Sequence, residues 1–252
     1  MLKLATKENL SEILQFCDGD LLGTRIGCYC LAYGFDYDFL NIWFDDSEDK
    51  IETVIAKFYD ALTIVTTSED IQEVSNFVKM IGFETLECNL DICEKLNLRP
   101  VDIKKSYIFS GTSENLGAIT LGEEYYKALY KLVSKNIPGS FKDTKEAYLS
   151  FLSDLSYKSR RGLARCKGVI VDSQLVSNVI TSAETESCAL LSAVASDRDF
   201  RGIGLGKKTV LTMVDELSNE NKQVFVVALN ESAEGFYEKI GFKHYKDIAI
   251  VS

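Results

Sequence analysis

Residues 199–210 (DFRGIGLGKKTV) have glycine at every second position from 202 to 206, followed by two lysines. They follow an apolar segment, CALLSAVAS (188–196), that predicts a β-strand, and they run into a predicted helix that begins near Leu205. A glycine turn at a helix N-terminus directs several backbone N–H groups outward at the positive end of the helix dipole. The segment therefore predicts an anion site, most naturally for phosphate, with Arg201, Lys207 and Lys208 adding positive charge.

Two common phosphate-binding motifs do not match this segment. A P-loop needs a glycine five residues before its Gly-Lys pair and then a Ser or Thr, but Arg201 and Lys208 occupy those two positions. The Rossmann fingerprint needs a third glycine where Lys207 stands. The pattern favours neither a nucleoside triphosphate nor a dinucleotide as the ligand.

The segment Arg201-Gly202-Ile203-Gly204-Leu205-Gly206 has the form R-x-x-G-x-G and resembles the acetyl-CoA motif of the GNAT superfamily of N-acetyltransferases. A second segment, NESAEGFYEKIGF (230–242), resembles the N-x-x-A-x-x-F-Y-x-x-x-G-F hallmark of that superfamily. The resemblance covers about residues 115–252, including two predicted helices before the strands. A purely structural turn remains the alternative interpretation of the glycines.

The resemblance implies an α/β (α+β) GNAT fold, in which a mixed, mostly antiparallel sheet contains a splayed strand pair. We expect residues 113–252 to form the GNAT acetyltransferase domain. A smaller α/β lobe would cover residues 1–112, because the polar segment SGTSENLG (110–117) reads as a connection.

The resemblance also implies acetyl-CoA as cosubstrate. In the family the pantetheine arm pairs with the exposed edge of the strand before the glycine turn, whose amides hold the pyrophosphate. Carried onto this sequence, the CoA-binding residues are Val194, Ala195, Ser196, Arg201, Gly202, Ile203, Gly204, Leu205, Gly206, Lys207, Asn230 and Tyr237.

The implied reaction is direct attack of an amine on the thioester, and Tyr237 matches the tyrosine that protonates the leaving thiolate. A tyrosine at the edge of the core is the other interpretation of this residue. Glu184 and Glu186 precede the strand where some family members carry a base, but surface glutamates are commoner, so the base stays unassigned. His244 is predicted to be a strand residue rather than a catalyst.

The first lobe is predicted to contain strands at 28–34, 39–44, 53–59 and 61–67 and a helix that begins at a Ser68 cap and stops at Gly82. Its segment 76–87 (NFVKMIGFETLE) aligns without gaps on 235–246 (GFYEKIGFKHYK), with Val78 at the position of Tyr237. This echo predicts a degenerate GNAT-like lobe. The lobe lacks R-x-x-G-x-G, so we expect no second active site.

Acidic residues dominate the first lobe. Residues 1–110 contain 20 acidic and 10 basic residues, whereas residues 111–252 contain 18 of each. This balance disfavours nucleic acid and anionic membranes as partners. We hypothesise that this lobe lines one side of the acceptor cleft and attracts an amine, although each acid alone reads as a solvated loop residue. The candidate acids are Asp36, Asp38, Asp45 and Asp46.

The cysteines and the single histidine exclude several chemistries. The seven cysteines are irregularly spaced without a C-x-x-C pair, which predicts reduced, buried thiols in a cytoplasmic protein and no metal site. His244 is the only histidine, so nucleophilic triads are disfavoured. No apolar run approaches the length of a membrane span.

The leading prediction is an acetyl-CoA-dependent N-acyltransferase acting on a small-molecule or peptide amine. A protein that binds or senses acyl-CoA without catalysis is one alternative; the intact Phe-Tyr motif counts against it and the unassigned base for it. A tandem-lobed aminoacyl-transferase that uses charged tRNA is another. The acidic balance and the intact glycine turn count against that alternative.

Overall fold

The computed structural model describes residues 1–47, 50–137, 139, 141 and 144–252. Its contacts divide the chain into two compact units. The first unit contains residues 1–107, 227–237 and 244–252, and the second contains residues 108–226 and 238–243. Two C-terminal segments therefore group with the N-terminal half. The predicted division into domains at residues 112 and 113 stays a prediction, because such contacts do not measure independent folding.

The N-terminal half contains a strand, two helices, three strands, and then helix, strand, helix and strand. These elements are β1 (Lys3–Leu4), α1 (Leu10–Cys17), α2 (Leu21–Tyr33), β2 (Leu40–Ser47), β3 (Lys50–Phe58), β4 (Ala61–Thr66), α3 (Gln72–Ile81), β5 (Thr85–Asn89), α4 (Leu90–Lys95) and β6 (Asp102–Phe109).

The C-terminal half repeats this order. Its elements are β7 (Ile119–Thr120), α5 (Tyr126–Asn136), α6 (Lys145–Ser159), β8 (Cys166–Val171), β9 (Gln174–Glu184), β10 (Cys188–Ser196), α7 (Leu205–Asn219), β11 (Gln223–Val227), α8 (Glu231–Lys239) and β12 (Phe242–Val251). A 3₁₀ turn, Arg198–Phe200, precedes α7. The chain is thus a tandem repeat of one mixed α/β arrangement.

In the first unit the strand order is β1-β2-β3-β4-β5-β12-β6. The last strand of the chain, β12, pairs antiparallel with β5 from Ile248–Asn89 to Val251–Leu86. Ala249 and Val251 are buried in the same core cluster as Leu86, Cys88 and the apolar face of α3. The C-terminal strand therefore completes the core of the N-terminal half.

In the second unit the strand order is β11-β10-β9-β8-β7. The core cluster combines α5 and α6 with β8, β9 and β10, through buried residues such as Leu129, Leu155 and Ala195. The strand predicted at 188–196 and the helix predicted from Leu205 are present as β10 and α7. The predicted mixed α/β fold is confirmed.

The strand predicted at 28–34 is wrong, because residues 28–33 belong to α2 and Gly34 is its C-cap. Asp20 caps this helix by accepting the N–H of Gly23 at 2.9 Å. A Cβ atom at Gly23 would lie 2.2 Å from the Cys17 carbonyl oxygen, so glycine permits the close approach of α1 and α2. Helix α2 is buried on most of its faces, and such a helix lacks the amphipathic period that separates helix from strand.

The Ser68 cap and the internal echo are also corrected. Helix α3 begins at Gln72, and the Ser68 hydroxyl donates to the Asp70 carbonyl instead. The echo aligned α3, the third helix of its repeat, with α8, the fourth helix of the other, so Val78 is not the counterpart of Tyr237. Both segments end a helix at a positive-φ glycine, which explains their local similarity.

Candidate functional site

The glycine turn leads directly into α7. Gly204 is its N-cap with φ 86°, and Gly202 has φ 82°, so both occupy the left-handed region that favours glycine. The first intrahelical bond runs from the Lys208 N–H to the Gly204 carbonyl at 2.9 Å. The N–H groups of Leu205, Gly206 and Lys207 precede that bond and lack a helical acceptor.

The space around this turn is open. A Cβ atom built at Gly202 or Gly204 would meet no described atom within 4 Å. The first turn of α7 contains no acidic residue, and Ile203 is 68% exposed. The helix dipole therefore faces an accessible surface without a carboxylate from this turn, which suits an anionic ligand.

Arg201 holds the start of the turn in place. Its Nε donates to the Ser196 carbonyl at 3.2 Å and its Nη2 to the Asn136 carbonyl at 3.5 Å. Asp197 caps the preceding 3₁₀ turn through the Asp199 N–H and pairs with Lys135 at 3.0 Å. Two of the guanidinium nitrogens thus form hydrogen bonds that connect the turn to the end of β10 and to α5.

Strand β10 parts from its neighbour β11 halfway along its length. The two strands pair in parallel only from Cys188–Gln223 to Leu191–Val226, whereas β10 continues to Ser196. Val194, Ala195 and Ser196 lie in this continuation. The predicted splayed pair is confirmed, and it leaves a strand edge of the kind to which an extended ligand can add by backbone hydrogen bonds.

A β-bulge lies within this continuation. In the register of β10 with β9, Ser192 faces Ile180 and Ala195 faces Asn178, so β10 has one extra residue. Ala193 has φ 49°, and its carbonyl accepts from the Asn178 Nδ2 at 2.7 Å. Asn178 is fully buried, and its Oδ1 has no hydrogen-bond partner among the described residues. Its side chain fixes the bulge and the direction of the adjoining backbone.

A buried chain of hydroxyl groups joins α7 to β10. Thr209 Oγ1 donates to Ser177 Oγ at 2.9 Å, and Ser177 Oγ lies 3.0 Å from Ser196 Oγ. Thr209 Oγ1 also lies 2.7 Å from the Leu205 carbonyl, in the first turn of α7. The glycine turn and the end of β10 are therefore held in a fixed relation within the second unit.

Sequence reasoning missed Ser177, Asn178 and Thr209. The signal available was the pair Ser177-Asn178 inside the otherwise apolar start of β9. Buried polar side chains need partners, so such a pair in a central strand marks either a structural bond or a functional position.

Asn230 and Tyr237 belong to the first unit. Asn230 caps α8, because its Oδ1 accepts from the Ala233 N–H at 3.0 Å, as expected for an Asn at a strand-to-helix junction. Tyr237 is 5% exposed, and its ring centroid lies 6.3 Å from that of Tyr107. Burial raises the pKa of Tyr237 above that of an ordinary tyrosine.

Glu184 is fully buried in an ion-pair cluster. It binds Arg165 through both carboxylate oxygens at 2.7 and 2.8 Å, Lys222 at 2.9 Å and the Thr181 hydroxyl at 2.6 Å. With its acceptor positions in use, Glu184 is a structural residue, whereas Glu186 is exposed. The ion pairs also raise the pKa of Arg165, against the effect of its burial. The general base stays unassigned.

His244 and the described candidate acids of the N-terminal half are in ion pairs or exposed to solvent. His244 lies in β12 with its Nε2 2.8 Å from Asp247, as predicted for a strand residue. Asp36 pairs with Lys7 and Asp45 with the N-terminal amino group, while Asp38 is exposed. The side chain of Asp46 lies outside the described residues.

All seven cysteines are buried thiols. Burial raises the pKa of Cys30 and of Cys166 to about 12. Within the described ranges no group of three or more His, Cys, Asp or Glu residues could hold a metal ion. No helix in the described part of the chain is long and apolar enough to cross a membrane.

Comparison with known proteins defines the class of this fold. The FR47-like protein family model matches residues 168–250, which include the glycine turn and α8. No curated protein matches the sequence.

Three solved structures resemble nearly the whole chain. A GNAT-family acetyltransferase from Colwellia psychrerythraea has TM-score 0.62 at 10% identity, covering 100% of this chain and 99% of that one. The tandem GNAT protein of the clavulanic acid biosynthesis pathway has TM-score 0.60 at 12% identity, covering 99% and 97%. A GCN5-related N-acetyltransferase from Sphaerobacter thermophilus has TM-score 0.61 at 15% identity, covering 99% and 94%.

These likenesses show a GNAT fold that extends over both repeats. They confirm the resemblance to the GNAT superfamily that the motifs at residues 201–206 and 230–242 predicted.

Proposed function

We propose that this protein is an acetyl-CoA-dependent N-acyltransferase that transfers the acetyl group to a primary amine by direct attack. The observation that carries the proposal is the N-terminus of α7, where three N–H donors without a helical acceptor follow two left-handed glycines that have open space around them. A pyrophosphate suits such a set of donors, because it offers several acceptor oxygens and negative charge. Lys207, which is exposed beside them, adds a cation.

The edge of β10 beyond Leu191 supports the same ligand. A pantetheine arm carries amide groups that can bond to the backbone of Val194 and Ser196 like an added strand. Its thioester would then approach the bulge at Ala193. A backbone N–H in this stretch is the proposed donor to the carbonyl oxygen, which gains negative charge during attack.

The proposed chemistry balances without a further reagent. The amine nitrogen forms a bond with the thioester carbonyl carbon, the carbon–sulfur bond breaks, and the sulfur leaves as a thiolate. One proton passes from the nitrogen to solvent, one proton reaches the sulfur from the protein, and the protein group that donated it regains a proton from solvent. We assign the second transfer to the Tyr237 hydroxyl, as the resemblance implies.

The environment of Tyr237 suits an acid in one respect and opposes it in another. Its raised pKa keeps the phenol protonated at neutral pH, which is the state an acid needs. The same shift makes it a weaker proton donor than an ordinary tyrosine. A proton transfer that is completed as the thiolate leaves accommodates both effects.

The proposed acceptor is a small-molecule or peptide amine. The excess of acidic residues in the N-terminal half supports a cationic partner and disfavours nucleic acid and anionic membranes. We further propose that acidic residues of the N-terminal half, such as Asp36 and Asp38, attract the amine. The seven buried thiols support a reducing compartment, so a cytoplasmic location belongs to the proposal as well.

A thermal-shift titration tests the binding step. Acetyl-CoA and CoA should raise the melting temperature, whereas NAD and ATP should not, because a ligand that binds only the folded state stabilises it by mass action. Absence of a shift with every CoA ester would reject the proposal and favour a structural role for the glycine turn.

An amine panel with detection of released thiol tests the chemical step. Turnover with an aliphatic amine or a peptide amine would support acyl transfer. Binding of acyl-CoA without turnover across the panel would favour the sensing alternative. Tyr237→Phe should lower kcat and leave the acetyl-CoA shift unchanged; an unchanged kcat would remove Tyr237 from the acid role.

A further inference from the structure

Six aromatic side chains form one contact group at one end of the sheet in the first unit. We call this group the aromatic patch: Tyr29, Tyr33, Tyr37, Phe39, Phe58 and Tyr59. Tyr29 stacks on Phe58 with ring centroids 4.5 Å apart, and Phe58 contacts Phe39 and Tyr59 edge-on at 5.8 and 4.9 Å. None of the six side chains is buried. The patch is therefore a surface layer rather than a part of the core.

Two rings at the margin of the patch are the most accessible. Phe39 stacks with Tyr37 at 4.9 Å and with Tyr59 at 5.3 Å, with interplanar angles of 22° and 16°. Tyr37 is 48% exposed and Tyr59 is 62% exposed. These two tyrosines offer ring surface to a ligand, while Phe39 supports both.

The backbone holds Tyr59 in an uncommon conformation. Its φ is 53°, which is rare for a bulky residue, and its N–H donates to the Phe39 carbonyl at 2.7 Å. Glycine or asparagine would relieve the strain in this turn. The sequence instead places a large aromatic ring there, at a position where it contributes little to the core. Strain of this kind points to a role for the ring.

Carboxylates lie next to each exposed ring along the chain. Asp36 and Asp38 flank Tyr37, and Asp60 follows Tyr59. The side chains of Asp36 and Asp60 are 73% and 65% exposed, and Asp38 is also exposed. Two lysines reach these carboxylates: Lys7 pairs with Asp36 at 2.9 Å, and the Lys57 Nζ lies 4.0 Å from Asp60. Three carboxylates against two lysines still leave an excess of negative charge beside the aromatic faces. Exposed ion pairs of this kind are weak, so a cation that has a flat surface can exchange for the lysines.

We propose that the aromatic patch binds an arginine-bearing polypeptide segment. A guanidinium group is planar, stacks on aromatic rings and forms bidentate bonds with carboxylates. The protein itself contains such a contact, because the Arg161 guanidinium lies 3.5 Å above the Tyr157 ring. Two ring–carboxylate pairs, at Tyr37 and at Tyr59, suit two arginines. This inference does not depend on acyl transfer.

Calorimetric titration of the full-length protein tests the proposal. The probe is a capped glycine-rich peptide with two arginines, and the control peptide carries citrulline, which is isosteric but neutral. We expect the arginine peptide to bind roughly tenfold more tightly than the citrulline peptide at low salt. The difference should shrink at high salt. Equal affinity of the two peptides would overturn the proposal.

Variants locate the binding surface. Tyr59→Asn removes the ring and tolerates the left-handed backbone, so the variant should fold and lose most of the arginine preference. Met80→Ala changes an apolar residue of the same unit that lies outside the patch and is 74% exposed, and it should leave the affinity for both peptides unchanged. Unaltered affinity in Tyr59→Asn would refute the assignment. Sedimentation equilibrium provides a further check. If the protein forms a dimer that Tyr59→Asn abolishes, the partner of the patch is a second copy of this chain, and the peptide proposal is overturned.

Discussion

The third helices of the two repeats, α3 and α7, differ in what faces their N-termini. In α3 the Gln72 N–H is accepted by Asp70 at 3.1 Å, and Glu73 lies in the first turn. In α7 the first turn has two lysines and no acid, and it follows a turn with two left-handed glycines. The N-terminus of α3 is therefore neutralised by acidic side chains of the chain itself, whereas the N-terminus of α7 is open to an anionic ligand.

The strands before these helices differ as well. Strand β4 pairs with β5 only from Ala61–Thr85 to Thr63–Glu87, so it parts from its parallel neighbour much as β10 does. Strand β4 nevertheless pairs with β3 in regular register, whereas β10 has a bulge fixed by Asn178. Both repeats therefore have a splayed strand pair, which is a feature of the fold. The bulge and the open helix N-terminus occur together in the second repeat, at the candidate site.

Removal of residues 1–112 should have the largest effect. The fragment 113–252 would keep β12 without its partner β5 and would expose Ala249 and Val251. We expect it to lack cooperative unfolding in circular dichroism and to aggregate, because apolar surface and an unpaired strand edge are left open. A fragment that melts cooperatively as a monomer would instead support the domain division at residues 112 and 113.

Gly204→Ala should abolish most CoA binding. Alanine at φ 86° costs about 1–2 kcal/mol in the left-handed region, and any change in the turn misdirects the N–H groups of α7. We expect the acetyl-CoA affinity, measured by calorimetry, to fall roughly tenfold or more.

Gly82→Ala is the matched control for Gly204→Ala. Gly82 has φ 62°, and a Cβ there would also meet no described atom within 4 Å. Its ψ of 162° lies in a region essentially restricted to glycine, so Gly82→Ala should lose at least as much unfolding free energy as Gly204→Ala, with unchanged affinity. Equal loss of affinity in both variants would mean that stability, not the turn, governs binding.

Asn178→Ala should reduce turnover more than binding. The variant frees the Ala193 carbonyl, so the bulge loses the bond that fixes it, and we expect kcat to fall roughly tenfold. Acetyl-CoA affinity should change little, because the pyrophosphate contacts lie at α7. Asn89→Ala, which removes another amide with a buried unpartnered Oδ1, is the control in the first unit. A parallel fall of kcat in both variants would contradict the assigned role.

Much of the site could be predicted from the sequence, because its features are local. The glycine turn, the strand before it and the helix from Leu205 all follow from residue type and spacing over a few positions. Asn178 and Ser177 could not be assigned, because their partners lie on the neighbouring strand and on α7. The motif at 230–242 revealed α8, but no local signal placed β12 beside β5.

The errors in the first repeat have the same origin. Helix α2 lacks amphipathic periodicity because it is buried on most of its faces, so composition alone suggested a strand at 28–34. The echo between α3 and α8 reflects a helix that ends at glycine before an aromatic strand, which is local chemistry shared by many folds. The tandem architecture was thus predicted correctly, although the alignment behind it paired α3 with α8 rather than with its counterpart α7.

The smallest expected difference between the two repeats is in how the free energy of unfolding depends on pH. The hydrogen bond from Lys135, followed by the Asp199 N–H, lowers the pKa of Asp197, whose side chain is almost inaccessible. A lowered folded-state pKa contributes stability that is present above about pH 4 and is lost as the pH falls through that lower value. Asp197→Asn should therefore be less stable than the parent at neutral pH, with the difference disappearing in acid.

Glu69→Gln is the control in the first repeat. The hydrogen bond from Lys95 also lowers the pKa of Glu69, but that carboxylate is 90% exposed, so the variant should have the same free energy of unfolding as the parent at every pH. Chemical denaturation at several pH values measures both, and parallel curves for the two variants would show that the connection before α7 is no more tightly held than the one before α3.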